Sequence, residues 1–347
     1  MQQNSIYKII LIIISIALII VLVHKSNNQI QQQSDSEKVT IKVSNKQKSN
    51  PEEITPKVGI KQKLESERLT TKAWIKESDE KKKLFSEIFN SSSEQNLIDP
   101  QTILQTASFM IQETDEFDPK LINFVRSLIH KPSGKQLNLD NKNKKDFSQI
   151  GQSHYMDSLL GKITNGFFVE AGGYTGEGFS NTLFFELERQ WTGILIEPVP
   201  SLHSIIVSKN RNIYSINACI AKKHPIVSKF IRASDSALSG RLSEMSQGHS
   251  NRVGRQFDII YVPCFSLNTI LKAIDVNKVD YFSLDVEGGE WDVLSSLDLK
   301  NIDFRSFSIE HNGETQRRDQ MRDYLINNNY KVPKMDGQDL YSIKNNL

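Results

Sequence analysis

The most concentrated hydrophobic pattern lies near the N-terminus, where every residue from Ile9 to Val23 except Ser15 is apolar. Ile6 and Tyr7 lengthen the run if Lys8 snorkels toward the headgroups, so residues 6–23 are just long enough to span a bilayer behind a tail of residues 1–5. His24 and Lys25 follow, and no small-x-small cleavage site is found there. An uncleaved signal anchor is therefore expected in preference to a removed signal peptide. Residues 24–95 show no sustained apolar period. Asn27 to about Lys63 is rich in Gln, Ser, Asn and Lys and holds Pro51 and Pro56, the composition of a disordered, solvated stalk.

Residues 96–150 form a helical prelude and linker. Asp99-Pro100 and Asp118-Pro119 each place a side-chain acceptor at an N-cap and a pre-set φ at the first helical position. Ile103, Leu104, Ala107 and Ile111 follow the first cap, and Ile122, Val125, Leu128 and Ile129 the second, each group making one apolar face that must pack on a neighbour. Lys131 to Lys145 is polar and basic and is expected to be a linker.

Residues 151–347 alternate between β-rich runs and helical periods. Strands are expected at Phe167 to Val169, Ile194 to Ile196, about Ile213 to Ile220, Asp280 to Leu284 and Phe304 to Ile309. Helices are expected over Asn181 to Gln190, after Pro198, from Gly289 and around Met321 to Leu325. Such alternation predicts an α/β domain with a mainly parallel, Rossmann-like sheet covered by helices on both faces and right-handed crossovers.

Charge and cysteine content narrow the classes. A formal charge of +2 from 43 basic and 41 acidic residues is no polyelectrolyte signal, which argues against nucleic acid as a partner. Cys219 and Cys264 are too few for a structural zinc site or a disulfide scaffold and are expected to be buried thiols. They could pair if the C-terminal half faces an oxidising lumen.

In an open parallel sheet, ligands bind beyond the carboxyl ends of the strands where the strand order reverses. The polar residues expected there are Glu170, Glu197, Asn217, Asp285, Glu287, Glu310 and His311. The first turn, Glu170-Ala-Gly172-Gly173-Tyr-Thr175-Gly176-Glu177-Gly178, lets the backbone turn sharply beside a ligand. Its glycine spacing differs from the dinucleotide pattern, and its acids suit a cationic ammonium better than a pyrophosphate. A dinucleotide oxidoreductase is the poorer fit for that reason. Glu197, at the end of the second strand, is placed to accept from both ribose hydroxyls, and together these features suggest S-adenosylmethionine.

The segments Gly166-Phe-Phe-Val-Glu170-Ala-Gly-Gly, Ser180-Asn-Thr-Leu-Phe-Phe-Glu186, Trp191-Thr-Gly-Ile-Leu-Ile-Glu197-Pro and Tyr281-Phe-Ser-Leu-Asp285-Val-Glu-Gly-Gly-Glu290 resemble the FkbM-type methyltransferase family. More narrowly, they are similar to its Star-like branch, over about Gln152 to the C-terminus. The resemblance implies a class I methyltransferase fold, with Glu170, Gly172, Gly173 and Gly176 around the amino acid part of S-adenosylmethionine and Glu197 on its ribose. Asp285 would face the reaction centre. It also implies a single-pass membrane protein with its C-terminal domain in the lumen of the endoplasmic reticulum, Golgi or endosomes. That layout decides an orientation which Lys8 on one side and Lys25 and Lys38 on the other leave tied. Asn90 in Asn90-Ser91-Ser92 would then be a glycosylation acceptor. Thr175 stands where relatives often carry an acid.

Two functions follow as expectations. One is O-methyl transfer to a hydroxyl-bearing small molecule or glycan, with Asp285 as the first-choice base and His311 or Glu287 as alternatives. Asn217 and Asp285 join the cofactor-binding set. No metal is expected, because acids at helix N-termini such as Glu287 and Glu290 usually satisfy the backbone. The other is a non-catalytic, Star-like trafficking adaptor that holds membrane growth-factor precursors as cargo.

Overall fold

The structure, a computed structural model, describes residues 99–233, 238–243, 253 and 257–345. The expected anchor at 6–23, the stalk at 24–95 and the Asn90 sequon lie outside the described residues. Among the described residues, no helix is long and apolar enough to cross a membrane.

Helices α1 (Pro100–Ile111) and α2 (Pro119–Leu128) begin where the Asp-Pro pairs place them. Asp99 accepts from the backbone N–H of Gln101 and Thr102, and Asp118 from Lys120 and Leu121. Next come α3 (Gln152–Leu159), β1 (Phe167–Ala171), α4 (Leu183–Arg189), β2 (Thr192–Ile196), α5 (Pro200–Ser208) and β3 (Tyr214–Ile216). A strand-rich insertion follows, with β4 (Cys219–Ala221), β5 (Ile226–Ala233), β6 (Gly240–Arg241) and β7 (Phe257–Ser266). The chain then runs through α6 (Leu267–Ala273), β8 (Lys278–Val279), β9 (Tyr281–Leu284), α7 (Glu290–Ser296), β10 (Asp303–Phe304), β11 (Ser306–Glu310) and α8 (Thr315–Asn327). It ends in the pair β12 (Tyr330–Met335) and β13 (Asp339–Lys344).

The principal sheet has the order β12-β13-β11-β9-β1-β2-β3. β11, β9, β1, β2 and β3 are mutually parallel, β13 is antiparallel to β11, and β12 is antiparallel to β13. The chain steps from β1 to β2 on one side and returns at β9 on the other, so the topological switch point lies between β1 and β9.

Strand periodicity explains why both faces are covered. Val169, Ala171, Ile194 and Ile196 point to one face and pack with Leu121 and Val125 of α2, Ile270 of α6, Leu294 of α7 and Met321 of α8. Phe168, Leu195 and Tyr281 point to the other, against Met156 of α3, Phe184 and Phe185 of α4 and Ile206 of α5. Each of these side chains gains about 1.5–3 kcal/mol from full burial. Helix α2 is part of this core. Arg126 on α2 donates from Nε to the Ala273 carbonyl at the end of α6, 2.7 Å away.

Three expectations need correction. Residues 131–145 do more than link, because the Asp140 and Asn141 backbone N–H groups both donate to Glu177 at 2.8 Å, and Leu139 and Phe147 are buried nearby. The single strand expected over Ile213 to Ile220 breaks at Asn217, and β3 and β4 join different sheets. The second sheet has the order β4-β7-β5-β6. Finally, Cys219 and Cys264 are disulfide-bonded rather than free thiols. The parallel register of β4 and β7 sets them side by side, with a Cα separation of 4.4 Å.

Candidate active site

A cavity of about 310 Å³ opens beyond the carboxyl ends of β1, β2, β9 and β11, within the range used for small-molecule sites. Of the residues expected from sequence, Glu170, Gly172, Glu197, Asp285, Glu287 and Glu310 line it. Gly173, Gly176, Asn217 and His311 do not.

Gly172 has φ +86°, and a Cβ there would collide with the Asp285 carbonyl oxygen. The glycine therefore allows the β1 turn to close against the β9 end. Gly173 and Gly176 lie beneath the turn, where added Cβ atoms would press on Leu195 and Ile206 at 3.1–3.2 Å, so their smallness serves helix packing. Thr175 caps the turn by accepting from the Gly178 N–H at 2.9 Å. Tyr174, Phe179, Glu287 and Asn312, all lining the cavity, hold left-handed φ values of 47–59°. Strain gathered in this way at one cleft marks a functional site.

The two strand-end glutamates are anchored differently. Glu170 accepts from the Ser180 and Thr182 hydroxyls and from the Asn181 N–H at 2.6 Å, which ties β1 to the start of α4. Burial raises its pKa, and the Arg211 guanidinium 3.9 Å away opposes that rise. Glu197 accepts from the backbone N–H of Tyr174 at 2.9 Å and of Val199 at 2.8 Å, one bond on each oxygen. Each oxygen keeps a second lone pair. Burial pushes its pKa up to about 8 against the pull of those two bonds. Asn217 donates to the Glu197 and Pro198 carbonyls at 2.8 and 3.0 Å, and so fixes the backbone around Glu197 from outside the cavity.

Asp285 and Glu310 sit at the ends of adjacent parallel strands, one residue beyond the Leu284–Ile309 register pair. Carboxylate oxygens of Asp285, Glu287 and Glu310 lie within 4.8 Å of one another. Groups this close must share either protons or a cation. Burial first, then the Glu287 charge, raises Asp285 well above the carboxylate range. Burial and the Asp285 charge push Glu310 up to about 12. Asn312 Nδ2 donates to Glu310 Oε2 at 2.6 Å, while Asp285 Oδ1 is buried without a hydrogen-bond partner. Glu290 organises the loop between β9 and α7, its Oε1 accepting from the Val286 and Gly288 N–H groups and its Oε2 pairing with Arg317 at 3.6 Å.

His311 is buried off the cavity. Its Nδ1 accepts from the Gly313 N–H at 3.1 Å, and burial lowers its pKa. Sequence reasoning gave no role to several residues that line the cavity. Tyr174 and Phe179 stack with ring centroids 5.8 Å apart, and Phe179 is half exposed. Phe230, Leu238 and Arg241 reach in from the second sheet, and Arg241 Nε donates to Ser228 at 3.2 Å. Tyr174 and Phe179 lie in and directly after the glycine turn, which was read for its backbone alone, whereas Phe230, Leu238 and Arg241 lie in no strong apolar period.

Residues 170–332 match the model of the methyltransferase FkbM domain, a segment that begins at Glu170 and holds Glu197, Asp285 and Glu310. No curated protein sequence matches the chain. Among solved structures it is similar to M. capricolum TrmK in complex with S-adenosyl-homocysteine, at 11% identity and TM-score 0.29, covering 57% of this chain and 68% of that one. It is also similar to a human methyltransferase 10 domain containing protein, at 12% identity and TM-score 0.32, covering 60% and 90%. The N-terminal domain of human METTL16 matches at 12% identity and TM-score 0.32, covering 66% and 82%. Likeness this remote carries no information about acceptor or site. The family match makes residues 170–332 a methyltransferase domain, for which the implied cofactor is S-adenosylmethionine. The residues present fit such a donor: Gly172 brings the backbone of the β1 turn to the cavity wall, the Glu197 carboxyl lines the same cavity, and the acidic rim suits a cation.

Proposed function

We propose that this chain transfers a methyl group from S-adenosylmethionine to a hydroxyl acceptor, a small molecule or a glycan, while anchored by residues 6–23 in a secretory-pathway membrane. The observation that carries this is the open cavity at the β1/β9 switch point, walled by Gly172, Glu197 and Asp285 inside the matched segment. Glu197 would hold the ribose and the Glu170–Gly172 turn the amino acid part. The bound donor supplies an electrophilic methyl group on a cationic sulfur. Asp285, which lines the cavity, is favoured over the off-cavity His311 as the base that takes the acceptor's proton.

The Cys219–Cys264 disulfide supports a domain facing an oxidising lumen, as in the Star-like layout. An unplugged cavity favours methyl transfer over a purely trafficking role for the same domain. Isothermal titration of the full chain in detergent is the test. Saturable heat with S-adenosylmethionine, weakened at least about tenfold by Glu197→Ala, is expected. No heat from the unsubstituted chain would sink the enzyme reading and leave the adaptor. Protease protection of the C-terminal half in sealed microsomes tests the orientation.

A further inference from the structure

Four residues that line the cavity have no part in holding the donor: Phe179, Gln149, Gln338 and Asn312. They come from four separate segments, and hydrogen bonds stitch those segments into one arc. Ser153 near the start of α3 donates to the Asn181 carbonyl at 3.2 Å, two residues after Phe179. Gln152 Nε2, three residues after Gln149, donates to Asp339 at 2.9 Å. The His311 N–H donates to the Gln338 carbonyl at 2.8 Å, and Asn312 follows directly. The arc is thus fixed by the fold, as a binding surface must be.

Its chemistry is selective. Phe179 is 50% exposed, and its left-handed φ of 59° holds the ring at the rim, stacked on Tyr174. A large apolar ring displayed at a cleft in a strained conformation offers a flat platform to a ligand. The other three side chains end in carboxamides, each with two N–H donors and an acceptor oxygen. Such groups match hydroxyls, which also donate and accept. Among the described residues, the one cation lining the cavity is Arg241, which lies on β6 and donates to Ser228 at 3.2 Å, not in the arc. Five carboxyl side chains line the same space: Glu170, Glu197, Asp285, Glu287 and Glu310. An anionic acceptor would meet like charge there and no counter-ion in the arc.

We infer that this arc binds an uncharged sugar as the methyl acceptor, with the apolar C–H face of the pyranose on Phe179 and its hydroxyls on Gln149, Gln338 and Asn312. This rests on the methyl-transfer reading and narrows its acceptor to a neutral carbohydrate. In the transfer, a sugar oxygen forms its bond to the methyl carbon, and the carbon–sulfur electron pair stays on sulfur, which becomes a neutral thioether. The hydroxyl proton passes to the carboxylate of Asp285, so one positive and one negative charge disappear together.

The test is saturation-transfer NMR on the full chain in a detergent without a sugar headgroup, with S-adenosyl-homocysteine added to fill the donor side. The probes are the methyl glycosides of glucose, galactose and mannose, the methyl glycoside of glucuronic acid, and a serine-containing peptide. Irradiating the protein's aromatic protons is expected to transfer signal to the ring C–H protons of at least one neutral glycoside. Phe179→Ala is expected to cut that transfer at least about fivefold, whereas Phe179→Trp, which keeps the platform, retains it. Gln149→Ala combined with Gln338→Ala is expected to weaken sugar binding about three- to tenfold, with S-adenosylmethionine heat within about threefold of the parent. The glucuronic acid glycoside is expected to bind at least about tenfold more weakly than its neutral counterpart. No transfer to any neutral glycoside, transfer undiminished in Phe179→Ala, or equal binding of the glucuronic acid glycoside would each overturn the inference. A peptide signal in place of a sugar signal would overturn it too, by assigning the arc to protein hydroxyls. Absence of S-adenosylmethionine heat from the unsubstituted chain would instead overturn the underlying methyl-transfer reading, which keeps the two failures distinct.

Discussion

Two groups of buried acids flank the glycine turn, and they are neutralised in opposite ways. On the α4 side, Glu186 meets Arg211 at 2.7 Å and Glu177 meets Lys209 at 2.8 Å, with Arg211 also 3.9 Å from Glu170. Those cations are almost wholly enclosed, and Arg211 spends further donors on the Gly176 carbonyl and on Ser180 and Thr182. On the β9 side, no cation among the described residues pairs with Asp285 or Glu310, and burial and like charge raise the pKa of both. The difference separates scaffold from chemistry. A buried pair with fixed partners holds a shape, whereas a buried acid that must keep or exchange a proton is poised to react.

The largest effect that would sharpen this contrast is on turnover. Asp285→Asn is expected to lower methyl transfer by about 100- to 10,000-fold, the usual worth of a positioned base, without lowering the urea midpoint. Screening hydroxyl acceptors with radiolabelled S-adenosylmethionine, alongside urea titration, would check both halves. If stability falls as well, the β9 acids are scaffold too. Arg211→Leu should do the reverse. It strands Glu186 and Glu170 in the interior and is expected to remove about 3–5 kcal/mol of stability, measured by urea unfolding.

Glu197 gives a gentler test through pH. Its folded-state value of about 8 lies above the ordinary 4.5, so the folded chain retains a proton that the unfolded chain has lost. Its contribution therefore becomes less favourable as pH rises from 4.5 to 8, by up to about 1.4 kcal/mol per unit. Glu197→Gln should flatten that decline in thermal unfolding scans; an unchanged slope would mean the carboxyl is solvated. The smallest effect belongs outside both groups. Lys222 and Asp292 pair at 3.2 Å with side chains 56% and 46% exposed, and Lys222→Ala is expected to cost less than about 0.5 kcal/mol in the same urea assay.

The parallel half of the molecule was readable because its strands are buried on both faces and end in acids. Phe167 to Val169, Ile194 to Ile196 and Asp280 to Leu284 became β1, β2 and β9 within two residues. The helix caps at Asp99 and Asp118 were readable because capping is local. The antiparallel parts were not. β5 carries Ser228, Lys229 and Arg232 among its apolar residues, so its period is blurred, and in the terminal pair β12 holds Lys331, Pro333 and Lys334, which hide a strand despite the Asp336-Gly337 turn that follows. α3 was missed for a similar reason, since its sequence QSHYMDSL has little apolar period. At the site, the strand-end acids were visible from sequence, but the partnership of Glu310 with Asp285 depends on β9 and β11 being neighbours. The contributions of Phe230, Leu238 and Arg241 depend on a second sheet that no local pattern announces.

The insertion leaves the principal sheet after β3 and returns at α6, and its first and last strands, β4 and β7, run side by side under one disulfide. Exit and re-entry thus share a single riveted doorway. Between them, Val227, Phe230 and Ile260 pack on Val199 and Leu202 just beyond Glu197, so the fastened insertion is held as a fixed wall of the same cavity.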